Sequence, residues 1–195
     1  VVIKPWSACR ATHPSIDACM KIVEAHEFDP TQVESVTIHT TPRTAQGFVG
    51  QPFEVGEEPQ VSGAFSIIYT AAVALVEKAV RPEHMNREAM EDPALKSMIA
   101  KIAIDPSLPP DEYQTAEVDV VMRDGTSYHA RCDVPKGDIY RSPLTEGEVL
   151  DKFYRNIEFS RTLPHEAAAQ VVEMVTHLEE LDDIGELVAF MEERR

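Results

Sequence analysis

Near its start the chain gathers side chains that can hold an anion, move a proton or attack carbon: Lys4, Ser7, Cys9, Arg10 and His13, within the run Lys4 to Pro14. An ammonium and a guanidinium together can hold carboxylates, the guanidinium through a two-point fork. The hydroxyl of Ser7 can add a hydrogen bond to the same ligand. N–H groups at the start of the helix that follows favour negative charge, and the imidazole of His13 can pass a proton near neutral pH. The chemistry this set could do is capture of a small acid with proton transfer beside it. The ordinary reading of the same residues is a pair of surface cations and a histidine capping a helix.

Other candidates are weaker. Cys9 as a nucleophile has no partners at triad spacing, and a packed thiol is the simpler reading. Asp133-Val134-Pro135-Lys136-Gly137-Asp138 lacks the glycine pattern and the Lys-Ser/Thr ending of a phosphate loop and reads as a turn. His39, His129 and His177 stand isolated in sequence and read as structural. Three cysteines, Cys9, Cys19 and Cys132, are too few for a disulfide framework and show no zinc spacing, so no metal is expected and a reducing cytoplasm suits them.

Eighteen Lys and Arg against 34 Asp and Glu leave a net charge of −16 over 195 residues. That balance argues against nucleic acid and against anionic lipid as partners. A basic pocket would be a local exception, suited to a small acid. With 43% apolar and 27% charged residues the composition is that of a folded globular chain. The longest apolar run, Phe65 to Val76, falls well short of the roughly 20 residues needed to span a bilayer. No signal peptide is visible, and a start at Val1-Val2-Ile3 without Met reads as a piece cut from something longer. The acidic residues Glu179, Glu180, Asp182, Asp183, Glu192 and Glu193 read as a solvated face.

These residues need elements to position them. A loop from Lys4 to Thr12 leads into a helix opened by Pro14, with Ile16, Cys19, Met20 and Val23 at helical spacing. Ser35 to Thr40 alternates as a strand. Residues 41–63, rich in Gly and Pro, predict a long structured loop. Phe65 to Val80 predicts a helix buried on all sides, and a further helix is predicted over Ala94 to Ile102, then a proline-rich linker from Ile104 to Asp111. Alternating runs on either side of Asp124-Gly125 predict a hairpin. Three amphipathic helices close the chain, the first opened by a Thr145/Glu148 capping box and the last carrying Ile184, Leu187, Val188 and Met191. The fold class expected is α+β: a small antiparallel sheet with helices packed on one side over residues 1–143, then helices over 144–195 whose apolar stripes need a further partner.

The segment "KPWSACRATHPSIDA", Lys4 to Ala18, resembles the opening of the C-terminal domain of the MmgE/PrpD family, commonly K-P-[YFW]-x-x-C-R-x-T-H-P-x-I-D-A. "FSIIYTAAVAL" (Phe65 to Leu75), "DGTSYHARCDVPKGD" (Asp124 to Asp138) and "SPLTEGEVLDKF" (Ser142 to Phe153) follow in the same order. The family includes 2-methylcitrate dehydratase, cis-aconitate decarboxylase and iminodisuccinate epimerase. The resemblance implies an α/β lid over a large helical domain supplied by another part of the protein, a homodimer, and a small di- or tricarboxylic acid as substrate. It implies proton transfer beside a carboxylate or loss of one, with neither metal nor organic cofactor, and an isolated lid without activity.

By the same resemblance Lys4 holds a substrate carboxylate, Arg10 binds a second one, and His13 is an acid/base or orienting residue. Cys9 stands where the decarboxylase branch has a catalytic histidine, and Phe48 stands for a pocket tyrosine of that branch. Both departures weigh against decarboxylation. The contrasting expectation from a different class is a free-standing ligand-binding or regulatory α+β module without catalysis.

Overall fold

Pro14 has a fixed φ and no N–H to leave unsatisfied, and it sits in the first turn of α1 (His13–Ala25). The helix buries Ile16, Cys19, Met20 and Val23. Next comes β1 (Val33–His39), where a bulge between Val33 and Ser35 lets residues three apart, Val33 and Val36, both face the core. The stretch read as a long loop contains two short helices, α2 (Pro42–Gln46) and α3 (Pro59–Ala64), each with proline in its first turn. The helix α4 (Ile67–Glu77) opens on Ser66, whose hydroxyl accepts from the Tyr69 amide, and closes on Lys78 in left-handed conformation. Ala71, Ala72, Val73, Ala74 and Leu75 are wholly enclosed, as an all-round apolar helix requires. The short helices α5 (Arg87–Met90) and α6 (Pro93–Ile99) follow.

The strands β2 (Ile102–Asp105), β3 (Ala116–Met122) and β4 (Ser127–Cys132) complete a four-stranded sheet of order β2-β1-β3-β4. The hairpin β3–β4 turns at Gly125, whose φ of 88° favours glycine. The α+β class stands as read, but the sheet is mixed rather than antiparallel. β2 runs parallel to β1, pairing Val36 with Ile102 and His39 with Asp105. The helices between the two strands supply the crossover that a parallel pair needs. Ile102 to Asp105 therefore belongs to a strand, where the sequence suggested a helix end and a linker.

One face of the sheet, carrying Val36, Ile38, Val118 and Val120, is buried. Across it lies α1, packed on β3, β4 and α4, while α4 reaches β2 and α6. The other face is polar, and its charges are linked. The His39 ring bonds Asp105 on β2 (2.9 Å) and Asp119 on β3 (2.7 Å), and His129 on β4 bonds the other oxygen of Asp119 (2.7 Å). Histidines isolated in sequence thus meet through strand register, with Asp119 directly opposite His129. On the same face Arg131 pairs with Glu112, Glu117 and Asp133, which hold its guanidinium firmly charged.

Partial burial works against charge on His39, but the hydrogen bonds its ring donates to Asp119 and Asp105 outweigh it and raise its pKa above 6.5. Folding therefore favours the protonated ring. The stability this contributes is complete below the unfolded pKa and is lost as pH rises through the raised folded value. Thermal melts should show stability falling as pH rises above the ordinary histidine value of about 6.5, and His39→Gln should flatten that slope. An unchanged slope in the variant would assign the pH dependence elsewhere.

The computed structural model describes residues 1–191 and divides into two units, Val1–Leu144 and Thr145–Arg195. In the second unit α7 (Glu146–Ser160) opens on the reciprocal Thr145/Glu148 capping box, followed by α8 (His165–Thr176) and α9 (Gly185–Met191). Ala168, Val171 and Leu187 are buried, while Phe159, Val175, Leu178 and Ile184 stand exposed and α7 has no buried residue. The Met191 side chain, expected on the last stripe, and Glu192 and Glu193, expected on the acidic face, lie outside the described residues. Among the described residues no helix is long and apolar enough to cross a membrane.

Candidate functional site

The segment from Lys4 to Thr12 is held to the body of the first unit by backbone bonds. The Ser7 amide donates to the Val80 carbonyl (3.3 Å) and the Cys9 amide to the Ala64 carbonyl (2.7 Å). A 3₁₀ turn, Arg10–Thr12, then runs into α1. This places the ends of the segment's cations against the helix start.

Two of the predicted residues converge on one atom. The exposed Lys4 donates from Nζ to the Ala8 carbonyl oxygen (3.1 Å), and Nε2 of His13 lies 3.4 Å from that same oxygen. Nδ1 of His13 faces the Arg10 guanidinium at 3.5 Å. A carbonyl on one side and a guanidinium on the other assign the ring proton to Nε2, with Nδ1 accepting. The ring is fully buried, so His13 meets the Ala8 carbonyl from inside the fold while Lys4 meets it from the solvent side.

Arg10 is employed differently from the carboxylate fork expected of it. Its two terminal nitrogens donate to the carbonyls of Lys136 (2.6 Å) and Pro135 (2.8 Å). Burial lowers its pKa, countered by the charges of Asp17 and Asp138. A guanidinium remains protonated under any such shift, so the group acts as a fixed charge beside His13.

Ser7 is half-buried and Cys9 packs against the core. The other two thiols are inert by burial, which pushes both Cys19 and Cys132 up to about 12. Phe48 is 71% exposed and meets Phe65 edge to face at 5.7 Å. Phe65 follows Ala64, whose carbonyl holds Cys9, so Phe48 reaches the cluster through one intermediary.

The structure adds residues that the sequence reading left out. Asp17, one helical turn beyond His13 on α1, accepts from the Trp6 indole N–H (2.6 Å) and from the Lys136 amide (2.7 Å). Burial raises its pKa, opposed by those two hydrogen bonds. The segment Asp133 to Asp138, whose residues read as a turn without a site role, thereby becomes the second wall of the cluster. Gly137 closes it: the Ile3 amide donates to the Gly137 carbonyl (2.9 Å), and φ is 94°. A side chain there would collide with the Ile3 carbonyl. The signal for Asp17 was its spacing of four from His13, which puts both on one helix face.

Comparison with curated proteins gives no match. The model of the MmgE/PrpD C-terminal domain matches residues 6–180, taking in His13, the turn and most of the second unit. The resemblance read from the opening motif is thus met along nearly the whole length, and the chain belongs to the MmgE/PrpD C-terminal domain family.

Proposed function

We propose that this chain is the substrate-closing C-terminal domain of a cofactor-independent lyase or isomerase of small di- and tricarboxylic acids. The observation that supports it is the exposed Lys4 ammonium resting on a neutral peptide carbonyl, with an imidazole and a guanidinium behind it. A carboxylate is a stronger acceptor than a carbonyl, so an incoming acid displaces Ala8 from Lys4 at little cost. Held there, the ammonium stabilises the charge that develops when a proton leaves the carbon beside the carboxylate. His13, closed off from solvent, orients the Ala8 carbonyl and keeps the segment in place. The proton acceptor comes from the helical domain of the same protein. Cys9 at a position that carries histidine in decarboxylating relatives favours dehydration or epimerisation.

On this reading the isolated chain is inactive, and the complete protein works as a cytoplasmic homodimer. The exposed Phe159, Val175, Leu178 and Ile184 are surface for the helical domain to cover. The test is an assay of the 195 residues and of the complete protein against methylcitrate, citrate and aspartate-derived diacids. Solvent-deuterium exchange and product formation are followed by NMR. Turnover or exchange by the complete protein alone is expected. Turnover by the isolated chain, or dependence of the complete protein on an added cofactor, would overturn the proposal.

A further inference from the structure

We propose that Asp17 is the positioning residue of this site: one carboxylate that sets the Lys4 segment and the Asp133–Asp138 turn against each other. The inference rests on the reading of Lys4 as the acid-binding group. Each oxygen of Asp17 serves a different wall, Oδ1 the Trp6 indole and Oδ2 the Lys136 amide. Residue 136 is gripped from both ends, its amide by Asp17 and its carbonyl by Arg10. The next residue, Gly137, carries the Ile3 amide, so the turn also fixes the residue preceding Lys4.

Lys4 is thereby bracketed, with Ile3 tied to the turn on one side and Trp6 tied to Asp17 on the other. His13 and Asp17 are presented by one rigid helix a turn apart, so the Ala8 carbonyl and the two anchors share a frame. A carboxylate kept in a half-buried place, where burial opposes its charge, is retained for the two donors it joins. An uncharged residue of the same size cannot join them. An amide offers one acceptor oxygen and turns an N–H₂ group toward the other donor.

The experiment uses Asp17→Asn and Trp6→Phe in the 195-residue chain, with ¹⁵N-lysine side-chain NMR of Lys4 and titration with citrate as the probe. The Lys4 signal is assigned by its absence from Lys4→Arg. In Asp17→Asn the Lys4 signal should lose the shift and exchange protection of its bond to Ala8. Citrate affinity should weaken about tenfold or more, as loss of a hydrogen bond to a charged group implies. Trp6→Phe, which leaves the Lys136 bond in place, should move both readouts the same way by less, and carries the test if Asp17→Asn does not fold. Either variant folded, with the Lys4 signal unmoved and citrate affinity within about twofold of the parent, would make Asp17 merely structural and overturn the proposal. If the parent chain fails to bind citrate but Asp17→Asn still moves the Lys4 signal, the positioning role stands and the acid-binding reading fails.

Discussion

On the proposed reading of Lys4 as the carboxylate-binding group, Lys4→Ala in the complete protein should lower kcat/KM about 10²-fold or more, as removal of one preorganised donor at a reacting centre does. The melting temperature should hardly change. Lys4 is exposed, and its ammonium donates to the Ala8 carbonyl rather than to a core group. Surface substitutions of that kind alter stability by about 0.5 kcal/mol or less. A large kinetic loss on an intact fold separates a binding lysine from a scaffold lysine. A loss under about threefold would return Lys4 to the status of an ordinary surface cation. Lys4→Arg is the informative companion, because it keeps the charge but alters its reach and geometry.

Tyr69→Ala should be the most damaging substitution in the core. The ring is fully buried on α4, stacks on Phe53 at 4.8 Å and sends its hydroxyl to the His84 carbonyl (2.5 Å). One side chain thus joins the buried helix to the glycine- and proline-rich stretch before it and to the turn after it. Truncating a buried aromatic costs about 3–5 kcal/mol, which in a unit of this size lowers the melting temperature by on the order of 10 °C. Tyr69→Phe keeps the stacking and loses only the hydrogen bond, at about 1 kcal/mol. Equal losses in the two variants would show that the hydroxyl, and not the ring, carries the stability.

What could be read from the sequence was local. Lys4, Arg10 and His13 are close along the chain, so their residue types marked them as candidates before any fold was known. The all-round apolar helix of α4 and the hairpin at Asp124-Gly125 were legible for the same reason. What depended on distant partners was not. Arg10 was read as a fork for a ligand because the carbonyls it holds belong to residues 135 and 136. His39 and His129 looked isolated until strand pairing set Asp119 between them. Four residues, Ile102 to Asp105, are too few to display a period, and only the parallel neighbour makes them a strand.

That parallel neighbour also governs how the sheet can be assembled in time. β3 and β4 meet across a tight turn, and such hairpins close in about 1–10 μs. β1 must wait for partners far along the chain on both sides: Val36 opposite Val120 in one direction and opposite Ile102 in the other. Closing such long loops costs chain entropy before any contact repays it, and topologies of this kind fold slowly. Until β2 docks, the outer edge of β1 is an unpaired row of N–H and C=O groups beside Val36 and Ile38, an adhesive surface for other copies of the chain. An edge of β1 left open while β2 is undocked is therefore where a nascent molecule is exposed to mispairing, and substitutions in Ile102 to Asp105 that slow the docking should lower the yield of folded protein.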